Sequence, residues 1–365
     1  VRIRTSFAAI IALPLILVLV LLVLNPIDQS TSSQIYYAAI ENSPADASAF
    51  SAGGSYFSWS SSLTENRNFE PLNIFYRSFG PREKPAIVMV HGFPTSSYDF
   101  AEIIEKLKRD YHIVVLDTPG YGFSDKPKDG YKYSLFEDAN LVDTLVREVV
   151  KLDRFSLVTH DKGDSVGFAL LQLYQSDSTR AYSIDHHVIL NGGIYLPLAQ
   201  LSYGQHLIAA PVLGPVATRL LSPAKFTDRL SKMYVPELTS EEKKNLASVF
   251  AYQGGVSVLP ETIKYLDERR QNEVMWLEIL HKSAVPATLI WAEKDPVAVT
   301  AIADYVWENY LRDRPASASY WRIPCAGHYP QNDQPELIAQ LIRRAIGEAE
   351  EFDLSGSDCA PIRVE

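Results

Sequence analysis

The chain is predicted to fold as an α/β protein, a mostly parallel sheet with crossover helices, and three observations carry that prediction. Short apolar runs end in Gly-bearing turns, amphipathic stretches follow them, and one long helical-pattern segment interrupts the alternation before it resumes. With 365 residues and 47% hydrophobic content, the chain has room for one large domain with an insertion and an ample core.

Residues 72–79, LNIFYRSF, alternate as a strand does. Residues 86–90, AIVMV, form a continuous apolar run ending in His91-Gly92, and residues 111–116, YHIVVL, run into Asp117-Thr118-Pro119-Gly120. Runs apolar on both faces are what a buried parallel strand requires. Leu141, Leu145 and Val149, with Val142, Val146 and Val150, recur at helical spacing and predict a helix over 141–152. A strand over 155–160, a helix after Ser165 and a strand over 187–190 closing in Asn191-Gly192-Gly193 follow. From 194 to 283 the pattern is helical with Gly and Pro breaks, an interruption at the carboxyl ends of strands that suits a lid. Strands over 287–291 and 320–323 and a helix over 334–351 complete the fold.

The organisation expected is an N-terminal membrane anchor (1–27), a juxtamembrane linker rich in Ser, Ala and Gly (28–68) and a first core segment (69–193). A helical lid (194–283), a second core segment (284–348) and a flexible tail (349–365) follow. The anchor rests on residues 7–24, FAAIIALPLILVLVLLVL, an uncharged stretch preceded by Arg2 and Arg4. At 1.5 Å per residue it spans roughly the hydrocarbon core of a bilayer. The arginines would keep the short N-terminal side in the cytoplasm, placing a single-pass protein's main domain on the non-cytoplasmic side. The alternative is secretion after cleavage of a signal peptide, against which stand the length of the apolar stretch and the lack of a small-x-small site close behind it.

The formal charge of −10, with no basic cluster interleaved with aromatics, excludes a general nucleic-acid role. Cys325 and Cys359 have no metal-ligand spacing; a disulfide on an exported side and two free thiols, Cys325 a small buried residue, are both open. No cofactor or metal is implied.

The most informative stretch is FSLVTHDKG, residues 155–163. An apolar run ends at His160-Asp161 with Thr159 and Gly163 two residues to either side of Asp161, the layout of a nucleophile elbow, where small flanking residues relieve a strained turn. A carboxylate nucleophile attacks an sp3 carbon to give an alkyl ester that water later cleaves, which favours epoxides or alkyl halides. Gly163-Asp164-Ser165-Val166-Gly167 also fits a serine pattern. Making Ser165 the nucleophile would, however, run the buried strand through the polar His160-Asp161-Lys162-Gly163. An acid and a histidine should follow in that order, and Asp295, just past the strand over 287–291, and His328, just past the last strand, do so. Glu293 is the rival of Asp295. Backbone N–H groups of Phe93, in His91-Gly92-Phe93-Pro94, and of Lys162 would form an oxyanion hole.

Five ordered blocks, HGFPTSSYDF (91–100), DTPGYGFSDKP (117–127), THDKGD (159–164), LNGGI (190–194) and GHYPQ (327–331), resemble the epoxide hydrolase and haloalkane dehalogenase branch of the α/β-hydrolases, most closely the mesoderm-specific transcript subfamily. The resemblance spans about residues 70–348 and implies an eight-stranded sheet with a helical cap, and Asp161, Asp295 and His328 as nucleophile, acid and base. Dehalogenases usually carry Trp after the nucleophile and often Asn after the HG pair, where this chain has Lys162 and Phe93. The epoxide hydrolase form is therefore the better match. In that branch, cap tyrosines protonate the leaving alkoxide; Tyr265 is the first choice, with Tyr195, Tyr203, Tyr234 and Tyr252 behind it. The side chain of Lys162 is expected to hold Asp161 ionised, to favour an anionic substrate, or to point to solvent.

The expected protein is thus a membrane-anchored, epoxide hydrolase-like enzyme acting on a small, lipophilic molecule, with no obligate protein partner. A dehalogenase, a Ser165 esterase and a non-catalytic binding protein of hydrolase fold are the alternatives.

Overall fold

The computed structural model describes residues 45–347, apart from 129, 178 and 179, together with 359–365. The expected anchor, the first part of the linker and most of the tail lie outside the described residues. Among the described residues no helix is long and apolar enough to cross a membrane.

Among the described residues nine strands form one sheet: β1 (Ser55–Trp59), β2 (Leu72–Phe79), β3 (Ala86–Val90), β4 (His112–Leu116), β5 (Arg154–His160), β6 (Ser183–Leu190), β7 (Ala287–Ala292), β8 (Ala318–Ile323) and β9 (Ile362–Val364), in the order β1-β2-β4-β3-β5-β6-β7-β8-β9. From β4 to β8 neighbouring strands are parallel, while β1, β2 and β9 are antiparallel additions at the edges. Strand order reverses at β3, which lies between β4 and β5, so the loops leaving β3 and β5 open a crevice at their carboxyl ends.

The helices of the core and lid are α1 (Ala45–Ala52), α2 (Ala101–Leu107), α3 (Leu135–Thr144), α4 (Lys162–Ser176), α5 (Tyr203–Ala209), α6 (Leu213–Leu220), α7 (Pro223–Leu230), α8 (Ser240–Ala251), α9 (Gly255–Thr262), α10 (Tyr265–Lys282), α11 (Thr300–Val306) and α12 (Pro335–Ala345). Because side chains alternate along a strand, Val88 and Val90 pack with Leu141, Val166 and Leu277 on one face of the sheet. Ile87 and Met89 pack with Ile103, Leu107 and Ile342 on the other. The helix expected over 141–152 starts earlier, at Leu135, because Ser134 caps it by accepting from the Glu137 N–H. It ends through a π turn, Leu145–Val150, at left-handed Lys151.

Two expectations are corrected. The described part of the linker is structured: α1 and β1 occupy it, Arg77 donates to the Phe50 carbonyl at 2.7 Å, and Glu137 accepts from Ser61 Oγ and the Ser62 N–H at 2.6 and 2.7 Å. Serines that read as flexible spacers are here hydrogen-bond donors to a buried carboxylate. The tail is not loose at its end, since β9 pairs with β8, giving nine strands where the resemblance implied eight. Of the two states left open for the cysteines the structure shows the first: Cys325 and Cys359 form a disulfide with Cα atoms 5.5 Å apart, beside that strand pair.

Candidate active site

The turn from β5 into α4 places Asp161 at φ 51°, ψ −109°, a conformation that L-residues avoid unless the surroundings impose it. The surroundings do. A Cβ at residue 163 would lie 2.3 Å from the Val90 carbonyl oxygen and one at residue 92 would lie 2.7 Å from Asp161 Cβ, so Gly163 and Gly92 are what let the turn settle onto β3. Asp161 is 6% exposed. Its Oδ2 accepts from the Phe93 N–H at 2.9 Å. Lys162 is the first residue of α4, where a backbone N–H has no partner within the helix.

His328, on the loop after β8, is buried, and its Nδ1 meets Asp295 Oδ2 at 2.7 Å. Asp295 is fixed on all sides: Oδ1 accepts from the Val297 and Ala298 N–H groups at 2.8 and 2.9 Å, and Oδ2 accepts from Asn191 Nδ2 at 2.9 Å. Burial alone would push the imidazole down, but Asp295, with Asp161 and Asp99 behind it, outweighs this and holds the His328 pKa up at about 9. Burial likewise works against the Asp295 carboxylate, yet His328 and the amide donors keep its pKa below the ordinary value. The rival Glu293 stands at the surface 4.0 Å from Arg322.

Asp161, Asp295, His328 and Phe93 are therefore brought together. Ser165 is not brought to the turn with them: its Oγ lies within α4 and accepts from Arg269 Nε at 2.8 Å. The expectations for the Lys162 side chain are corrected. It is buried and points neither to Asp161 nor to water, but to Asp138 Oδ2 at 2.5 Å and Thr118 Oγ1 at 3.1 Å, with the Tyr121 ring 4.6 Å away.

Of the five lid tyrosines, Tyr265 and Tyr234 reach the site. The Tyr265 ring lies 5.7 Å from that of Phe93, and Tyr234 stacks on Tyr329, the neighbour of His328, at 4.2 Å. Burial raises both phenols, as do the Asp161 charge at Tyr265 and the Asp99 charge at Tyr234, so both keep their protons. Tyr195 instead stacks on Tyr305, Tyr252 packs on Phe123, and Tyr203 is 83% exposed.

Sequence reasoning missed three residues. Arg269 of the lid helix α10 donates through Nη2 to the Asp161 carbonyl at 2.9 Å, in addition to Ser165, and so ties the lid to the elbow. Asn191 holds Asp295 and accepts from the Ala292 N–H at 2.7 Å; its place in the LNGGI block was the available signal. Asp99, in the HGFPTSSYDF block, is buried and bonded by Thr95 Oγ1, and burial raises its pKa to about 8. A cavity of about 340 Å³ leads from Phe93 and His328 into the lid between Ile208, Phe226, Leu230 and Met233. Among the described residues no cluster of His, Cys, Asp and Glu could hold a metal ion.

The family model of the alpha/beta hydrolase fold matches residues 85–191. The "Putative hydrolase LipZ" of Mycobacterium tuberculosis is 34% identical over 269 residues, covering 73% of this chain and 90% of that protein. The mesoderm-specific transcript protein of Mus musculus is 32% identical over 274 residues, covering 73% and 81%. In three dimensions the Cif epoxide hydrolase from Acinetobacter nosocomialis aligns with a TM-score of 0.66 at 16% identity, over 86% of this chain and 95% of that one. The chain belongs to the α/β-hydrolase family and is a hydrolase by fold and kinship.

Proposed function

We propose that the protein is an epoxide hydrolase-like enzyme working through a covalent ester on Asp161, and the observation that carries this reading is the seating of Asp161 Oδ2 on the Phe93 N–H. A carboxylate with one oxygen in an oxyanion site keeps the other for attack on an electrophilic carbon, and the seated oxygen becomes the ester carbonyl. Attack forms the Asp161–carbon bond and breaks the epoxide C–O bond, and the alkoxide takes a proton from Tyr265, with Tyr234 the second donor. His328, oriented by Asp295, then takes a proton from water, and the resulting hydroxide adds to the ester carbonyl. The Phe93 and Lys162 N–H groups hold the oxyanion, and collapse breaks the ester C–O bond, the departing alkoxide taking the proton of the added hydroxyl to give the diol and restore the carboxylate, while the proton on His328 returns through solvent to the Tyr265 phenolate.

The apolar stretch over 7–24 supports attachment to a membrane, with the hydrolase domain on the non-cytoplasmic side, and the apolar cavity supports a lipophilic substrate. Equal turnover of water-soluble and lipid epoxides by the anchored protein would count against the latter.

The test is the full chain carrying His328→Ala, exposed to a panel of epoxides and alkyl halides and analysed by intact mass and peptide mapping. An adduct on Asp161 from epoxides is expected. An adduct from halides alone would make the protein a dehalogenase, and none from any probe, with the protein folded, would overturn the ester mechanism.

A further inference from the structure

The lid carries an unusual surface around the mouth of the cavity. Tyr203, Val212, Leu213 and Leu220 are 83, 69, 50 and 65% exposed, far more than large apolar side chains in a packed domain. Leu213, Ala217 and Leu220 follow one another at helical intervals on α6, so one stripe runs from open solvent at Leu213 to the cavity lining at Ala217 and Leu220, continued by Leu221 just past the helix end. Ser202 and Gly204, on either side of Tyr203, also line the cavity.

The same segment is cationic in an acidic protein. Between Ser202 and Leu230 stand Arg219, Lys225 and Arg229 against a single carboxylate, Asp228, whereas the whole chain carries −10. Asp228 is engaged by Lys243 at 2.9 Å, and the side chains of Arg219, Lys225 and Arg229 make no ion pair among the described residues. Lys225 and Arg229 line the cavity beside Phe226 and Leu230.

We infer that the lid face formed by α5, α6 and α7 docks on an anionic lipid bilayer, with the cavity mouth turned to the membrane. Exposed apolar side chains enter the interfacial layer while the flanking cations meet lipid phosphates, the combination by which amphipathic surface helices bind charged membranes. Charge complementarity together with the apolar stripe selects this occupant: an anionic bilayer offers phosphates to the cations and hydrocarbon to the exposed apolar side chains beside them. The inference concerns the lid alone and stands apart from the reaction assigned to Asp161.

The experiment is hydrogen–deuterium exchange on the full chain in nanodiscs of phosphatidylcholine, in nanodiscs of phosphatidylcholine with phosphatidylglycerol, and in detergent micelles. Any N-terminal attachment is then common to the two disc preparations, and the lid amides are read directly. Amides over 203–230 are expected to exchange roughly tenfold more slowly in the anionic discs alone. R219E/K225E/R229E should abolish that slowing, with the amides of β3 and β5 unchanged to show an intact core. Equal exchange in both discs would overturn docking selected by anionic lipid. Slow exchange already present in micelles would instead assign the face to another copy or another segment of the chain, and slowing that survives the triple charge reversal would remove the role of the cations.

Discussion

The Phe93 N–H and Asp161 Oδ2 lie 2.9 Å apart, so a loop leaving β3 distinguishes the two oxygens of a carboxylate on the turn leaving β5. Asp161→Asn keeps an acceptor for Phe93 and should fold, while turnover falls by at least about a thousandfold because the amide is a poor nucleophile. In a single turnover of the wild type in 18O-labelled water, the label is expected in Asp161 and not in the product. Label in the first-turnover product would point to direct attack by water.

Charge around His328 sets a pH dependence of definite sign. Its folded-state pKa, about 9, lies above the ordinary 6.5, so its contribution to stability is complete below 6.5 and is lost as pH rises through 9. Asp295 works oppositely: its depressed pKa contributes above the ordinary carboxylate range and loses that contribution as pH falls through the lowered value. Urea denaturation from pH 6 to 9 should show stability declining with pH, with a shallower decline in His328→Gln. By NMR, His328 should titrate lower in Asp161→Asn than in the wild type, since a facing negative charge is gone. Under the proposed mechanism the same loss would occur on forming the Asp161 ester, which would release His328 to act as a base at that step.

Arg269 tests whether the lid positions the elbow. Its guanidinium bonds the Asp161 carbonyl and Ser165 Oγ, and touches neither carboxylate oxygen of Asp161. Arg269→Met is expected to lower kcat by roughly a hundredfold with KM changed little, because a small misplacement of the nucleophile is costly. A matching shift of the Asp161 and Lys162 amide resonances should accompany it. A rise in KM at unchanged kcat would place Arg269 in substrate binding.

Lys162 and Asp138, 4% and 8% exposed, form a buried pair at 2.5 Å. Asp138→Asn strands the ammonium and should cost about 3–5 kcal/mol in chemical denaturation, whereas Asp138→Leu combined with Lys162→Met should recover most of that. Equal losses in single and double variants would argue against coupling.

Much of the candidate site's grouping was legible because its residues sit where strands end. Asp161, Asp295, His328 and Phe93 each follow an apolar run by a few residues, and a parallel sheet gathers such positions at one edge of the crevice. What was not legible depends on contacts between distant segments. Arg269 meets residues more than 100 positions away in sequence, and nothing in its local helical pattern separates it from Arg270, which pairs with Asp267 at the surface. The direction of the Lys162 side chain is decided by Asp138 on a neighbouring helix, and the choice among tyrosines by lid packing. Ser61 and Ser62 read as spacer because only the fold brings Glu137 to them.

The two outermost strands give the boundaries of the protein a practical meaning. β1 and β9 are short, of 5 and 3 residues, and come from the stretches that composition marks as dispensable. A version trimmed to 69–348 would lose both and uncover residues 72–76 of β2 and 320–322 of β8, with unpaired N–H and C=O groups along them. Such bare borders invite strands from other molecules. The end segments thus act as selvedges, finishing a woven fabric that would otherwise fray into its neighbours.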